Sequence, residues 1–193
     1  IILIENVEPC ILKEAFKNLT KFINEESSIC DIFVENDFID ICFNFMKNRN
    51  PAFSEIVGFL AWLSVNNSYA LSKFPVDYPE IIFSFMVEES SDEILDSIYT
   101  LVEFLSYSQG VSKKMIALDG FLLNLLNNDK SYLIRIRSLD LLNSLIIGHF
   151  SDMEFFFEEN PSFDIFLDYF YTDDQDIIKL ALGIICQITQ YIC

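Results

Sequence analysis

One histidine, His149, stands in the whole chain, directly after Gly148. An imidazole can shuttle protons or ligate a metal near neutral pH. A lone one supports neither a carboxylate–histidine–nucleophile set nor a histidine-rich metal site. Its place at the expected end of a long helix predicts a solvated, helix-terminal residue. The cysteines, at positions 10, 30, 42, 186 and 193, are odd in number. Cys186 and Cys193 stand too far apart for a zinc or redox pair. Their spacing predicts small buried apolar residues in a reducing compartment, cytoplasmic or nuclear. Three carboxylate pairs, Glu88–Glu89, Glu158–Glu159 and Asp173–Asp174, could exchange protons with a substrate. Each falls at an expected helix end or loop, where a solvated cap favoured by the helix dipole accounts for it. The glycines are scattered and form no phosphate cradle. The chain therefore reads as a non-enzyme without cofactor or metal.

Bulk composition points the same way. Hydrophobic residues make up 52% of the chain and charged residues 22%, which excludes a disordered segment. The formal charge of −18 argues against nonspecific binding to nucleic acid or to an anionic membrane surface and favours a basic partner. Residues 101 to 150 are the one nearly balanced stretch, through Lys113, Lys114, Lys130, Arg135 and Arg137. The cluster Lys130, Arg135 and Arg137 is expected to pair with acidic side chains of an adjacent unit. No apolar run reaches the ~20 residues of a spanning helix.

The elements that carry these residues repeat. Ala15, Gly58, Ser97, Ser138 and Ala181 recur at intervals near ~41 residues, each followed at offsets of one, four and seven by large apolar residues. Those offsets define one face of an α-helix. The small residue at its start suits a place where another backbone comes close. About twelve residues earlier lies a second helix, in which Phe43, Phe45 and Met46 match Phe83, Phe85 and Met86, then Leu123, Leu125 and Leu126, then Leu167, Tyr169 and Phe170. A shorter apolar segment precedes each. Glu8–Pro9, Asn50–Pro51 and Asn160–Pro161 read as helix starts with proline at the first position, and Asp37, Ser91, Asp119 and Asp173 as further caps. Strand signals are nearly missing.

A unit of short, middle and long helix, with a small residue early in the long one, resembles the armadillo repeat, with HEAT repeats as its neighbour. The resemblance covers essentially the whole chain. It implies an all-α, right-handed superhelical solenoid of four to five repeats. The units are a partial one over 1–24, then 25–66, 67–108, 109–149 and 150–193, and the solenoid is expected to continue in a longer native chain.

In armadillo proteins the long helices line a concave groove, and in importin alpha a ladder of Trp and Asn four residues apart holds an extended basic peptide there. Carried onto this chain, the resemblance assigns the groove to Lys17 and Lys21, Leu60 and Ser64, Tyr99 and Glu103, Asp140 and Ser144, and Gly183 and Gln187. None of these pairs is Trp with Asn. Trp62 and Asn66 have that spacing but lie two residues out of phase, where core residues are expected. The implied function is a protein-binding scaffold or adaptor holding a basic or extended segment of another protein. The alternatives are a divergent importin-type carrier and a structural or regulatory helical domain of a larger protein.

Overall fold

The computed structural model describes residues 8–89, 91–127, 129–159 and 164–192. Among them the chain is all-α, and no strand occurs. The first long helix, α1 (Pro9–Glu25), is followed by a short α2 (Cys30–Glu35), a middle α3 (Phe38–Lys47) and a long α4 (Phe53–Asn66). Next come α5 (Tyr78–Glu88) and the long α6 (Asp92–Ser106), then α7 (Gln109–Ile116), α8 (Phe121–Leu125) and the longest, α9 (Tyr132–Glu159). A short α10 (Leu167–Phe170) leads into α11 (Gln175–Ile192). Single 3-10 turns at Ser27–Ile29, Ala70–Lys73 and Asp164–Phe166 complete the connections.

Local chemistry explains most boundaries. Pro9 opens α1 where its missing N–H costs nothing, and Ser91 precedes α6 in an extended conformation. Asn50 acts earlier than expected: its side-chain oxygen accepts from the backbone N–H of Ala52 at 2.9 Å, and the helix starts only at Phe53. Two caps are shifted by one residue. Gly120, not Asp119, precedes α8, because the chain there needs φ of 77°, a left-handed value that glycine adopts without a Cβ clash. Asp174, not Asp173, caps α11, accepting from the backbone N–H groups of Asp176 at 2.9 Å and Ile177 at 3.1 Å. The expected cap at Asn160–Pro161 lies outside the described residues.

Packing follows chain order. The long helices α1, α4, α6, α9 and α11 lie side by side, each against the one before and the one after. Each middle helix, α3, α5, α8 and α10, packs on the long helix that follows it. Side-chain contacts between neighbouring long helices therefore join residues separated by a near-constant stretch of chain. Lys17 meets Glu55 at 3.9 Å, and Asn66 donates to Asn24 at 3.3 Å. The rings of Trp62 and Phe104 lie 5.3 Å apart, Arg137 donates to Asp96 at 2.6 Å, and the Phe150 and Tyr191 rings stack at 4.5 Å. Along α1 and α4, and again along α6 and α9, successive contacts advance in the same direction, so these neighbours run parallel.

The repeated middle-helix pattern is buried as its spacing requires. Phe45, Met46, Phe85, Met86, Leu125, Leu126 and Tyr169 all enter the core, while Leu123 and Leu167 turn outward. The five small residues do not share one environment. Ser138 and Ala181 are fully buried, Gly58 and Ser97 are half-exposed and Ala15 is exposed. A Cβ built on Gly58 would meet nothing within 4 Å, so no backbone crosses there and the expected close approach is absent. Nor do all the large apolar positions of that pattern turn inward: Phe16, Phe59, Ile98 and Leu139 are buried, while Phe22, Trp62, Val65 and Leu182 are exposed. Among the described residues, no helix is long and apolar enough to cross a membrane.

Candidate functional site

The solvent-facing strip of each long helix is what remains after its neighbours have covered the rest. On α4, packed between α1 and α6 and backed by α3, the strip narrows to Gly58, Trp62 and Val65. On α6 it carries Thr100, Glu103 and Phe104 and ends at Tyr107; on α9 it runs through Asp140, Ser144 and Ile147, and on α11 through Gly183, Gln187 and Gln190. These strips adjoin. The Trp62 ring tilts against Phe104, and Phe104 lies 6.4 Å from Tyr107. Tyr107, Ser144, Ile147 and His149 then line a groove of about 450 Å³ with Ser106 and Gly148. Trp62 is 38% exposed and Tyr107 71%. The result is an aromatic ridge leading into a groove across three consecutive long helices.

This arrangement corrects part of the groove read from the sequence. Leu60 is 0% exposed, Tyr99 2%, and Ser64 is also buried, its hydroxyl donating to the carbonyl of Ala61 at 2.7 Å. These three belong to the core, on the sectors of α4 and α6 that the neighbouring helices cover. Trp62, expected in the core, stands at the surface instead. Lys17 and Lys21 are exposed and reach Glu55 and Glu25 at 3.9 and 3.8 Å. Glu103, Asp140, Ser144 and Gln187 do lie on the solvent-facing strips. The exposed phase on α4 sits about two residues earlier than on α9, so one fixed offset from the small residue cannot serve both helices.

Asn66 shows what the Trp–Asn spacing does in this chain. Its amide donates to the carbonyl of Trp62 at 2.9 Å and to the Asn24 side chain at 3.3 Å. Its donors thus tie α4 to α1. A peptide backbone laid over Trp62 would meet an aromatic face rather than a waiting amide.

Tyr99 organises a buried polar cluster instead of a groove. Its hydroxyl accepts from Lys130 Nζ at 2.6 Å and from Ser138 Oγ at 2.8 Å. The same ammonium donates to the Asn124 carbonyl at 2.6 Å and to the Asn124 side chain at 2.7 Å. Three donors on a lysine meet three neutral acceptors. Burial without a carboxylate lowers Lys130 to about 8 and raises Tyr99 to about 12. The expected acidic partner is therefore missing for Lys130 but present for Arg137, which pairs with Asp96. Arg135 buries its Nε without a hydrogen-bond partner among the described residues, as does the hydroxyl of Tyr169. The satisfied ammonium marks a structural tie between α6, α8 and the start of α9 rather than a nucleophile.

His149 is likewise engaged rather than solvated. Its backbone leaves helical values, with φ of −142°, and bends α9. Its Nε2 lies 3.0 Å from the carbonyl of Ser106 and 2.9 Å from Ser112 Oγ, fastening the bend to the end of α6 and to α7. Nothing in the spacing of a single histidine signals this. Cys30 and Cys42 are buried and burial raises both thiols, which disfavours the thiolate. Cys10 and Cys186 are exposed, against expectation. Of the carboxylate pairs, Glu88 and Glu89 receive Arg49 at 3.1 and 3.0 Å, a clamp between α3 and the end of α5. Among the described residues, no three histidine, cysteine or acidic side chains gather to hold a metal ion. Against known proteins, no family model, no curated protein and no solved structure matches the chain.

Proposed function

We propose that the chain is an armadillo-like superhelical stack that serves as a protein-binding scaffold, holding a segment of a partner protein across Trp62, Phe104, Tyr107 and the groove at Ser144 and Ile147. The observation that carries this reading is the ladder of lateral contacts between consecutive long helices at near-constant chain separation. Such stacking supports the division into repeating units, the right-handed superhelix being what the armadillo resemblance implies, and stacked repeats present extended surfaces of this kind to partners. Exposed tryptophan and tyrosine are the side chains that most often anchor protein interfaces. The net charge of −18 favours a basic segment.

The test is a photo-crosslinking residue placed at Trp62 in the full chain, in cells that normally express it. A discrete partner that crosslinks there, and is lost when Phe104 and Tyr107 are changed to Ala, supports the reading. Crosslinking no greater than from exposed Val76 rejects it.

A divergent importin-type carrier is the second reading, favoured by the surface position of Trp62 alone, since the Asn66 amide four residues on is held by Trp62 and Asn24. Titration with a lysine-rich localisation peptide decides it. Binding weakened by Trp62→Ala supports the carrier, and absence of binding rejects it.

A further inference from the structure

A second cleft, of about 520 Å³, opens between the α7–α8 turn and the last two turns of α9. It shares no residue with the aromatic ridge and is built from Ile116–Leu123 on one side and from Asp152, Phe155, Phe156 and Glu159 on the other. Its size is that of ligand clefts, which run to about 300–1,000 Å³. Ile116 and Leu122 are buried in its floor. Leu123, 55% exposed, and Phe155, 69% exposed, stand at its mouth, where single large apolar side chains from two elements face one opening. Either alone would be ordinary on a protein surface; at one cleft they put an apolar side chain on each bank.

The charged side chains that line the opening among the described residues all have one sign. Asp119 sits on the turn, and Asp152 and Glu159 lie seven residues apart on α9, two helical turns along one face. Among the described residues no basic side chain lines the cleft, but Lys113 pairs with Asp152 from outside it at 3.6 Å, so Asp119 and Glu159 carry the unbalanced charge. We infer that this cleft takes a basic amphipathic helical segment of another protein, with leucine or phenylalanine anchors in the cleft and lysine or arginine beside Asp119 and Glu159. An apolar stripe seated in a groove is a common mode of helix recognition. The carboxylates on both banks supply the charge complementarity that would select a basic one. A second copy of this chain is a poorer occupant, because each copy carries −18. The inference does not rest on the proposed function.

The probe is a fluorescein-labelled amphipathic peptide with leucine and phenylalanine on one face and lysines at both ends, titrated into the full chain and followed by anisotropy. Saturable one-to-one binding is expected. Leu123→Asp and Phe155→Asp should each weaken it at least about tenfold, the loss of ~1.4 kcal/mol. Both side chains are exposed, so the fold should survive. The double variant Asp119→Lys, Glu159→Lys should weaken binding similarly, while Glu14→Lys, Glu35→Lys, an equal change of charge elsewhere, should leave it within about twofold. Equal loss in both charge variants would reduce the effect to nonspecific attraction and overturn the inference. So would self-association of the unmutated chain that Phe155→Asp abolishes, since it would assign the cleft to a second copy. A benzophenone in place of the peptide's phenylalanine should label residues 116–123 or 152–159 of the unmutated chain, and labelling elsewhere overturns the assignment. Peptide binding unaffected by Trp62→Ala separates this cleft from the aromatic ridge.

Discussion

Tyr99 and Lys130 show how one side chain can hold several elements at once. The phenol lies on α6, the ammonium follows α8, and Ser138 is on α9, so a single oxygen gathers donors from two other segments. Removing that oxygen strands the Ser138 hydroxyl, which is fully buried, and leaves Lys130 with only its two acceptors on Asn124. Tyr99→Phe should therefore destabilise the fold by about 1–3 kcal/mol, read as a lower urea midpoint with an unchanged slope. The ionisation of the cluster adds a dependence on pH. Lys130 is protonated in both folded and unfolded states below about 8, and the cost of its buried charge is then constant. Between about 8 and its ordinary 10.5 the unfolded chain holds the extra proton, so stability should rise with pH across that window. Tyr99 acts in the opposite sense. With its phenol pushed from 10 up to about 12, the folded state keeps a proton that the unfolded chain loses, so stability should fall from pH 10 upward. Urea titrations from pH 7 to 11 check both: Lys130→Met should remove the rise, and a rise that persists in that variant refutes its origin in Lys130.

Among elements, the helix ends separate what local chemistry sets from what packing sets. Asp174 caps α11 through two backbone N–H groups, and capping by aspartate is worth about 1 kcal/mol. Asp174→Ala should cost about that much, whereas Asp173→Ala should change stability by under about 0.5 kcal/mol. Thermal melts of the two variants side by side test the one-residue shift from the expected cap. The bend in α9 has a different cause. A run of helix-forming residues passes through Gly148 without a proline, and the break falls where His149 reaches back to Ser106 and Ser112 on preceding elements. Local sequence marks Gly148 as weak helix. The bend itself needs a partner brought from α6 and α7.

For the molecule as a whole, the order of the long helices decides which residues are core and which are surface. Leu60 and Trp62 are two positions apart on α4, yet one is sealed by neighbours and the other lies against Phe104 at the surface. Leu60→Ala should cost about 2–5 kcal/mol, the range for emptying a packed site, and leave the surface strip unchanged. Trp62→Ala should cost much less than Leu60→Ala in stability but weaken whatever binds the ridge. Comparing the two variants by urea unfolding and by the crosslinking assay separates packing from recognition. If Trp62→Ala destabilises as much as Leu60→Ala, the ridge is a structural contact instead of a binding surface.

Helix type and order were readable from the chain because apolar side chains at helical spacing must be buried whatever their partners are, and prolines and capping residues mark boundaries by local geometry. The absence of paired cysteines and of a second histidine was equally plain. The rotational phase of each helix was not, because exposure is what neighbours leave uncovered, and α4, between α1 and α6, leaves a different sector open from α9, between α6 and α11 with α7 also against it. That difference moved Leu60 and Tyr99 inward and Trp62 outward. Lys130, expected to pair with acidic side chains of an adjacent unit, became instead a half-buried tie to neutral oxygens, since a lysine's environment depends on which carbonyls and hydroxyls the fold brings within reach. Local periodicity determines that these helices form, and only their mutual packing selects the side of each that meets water.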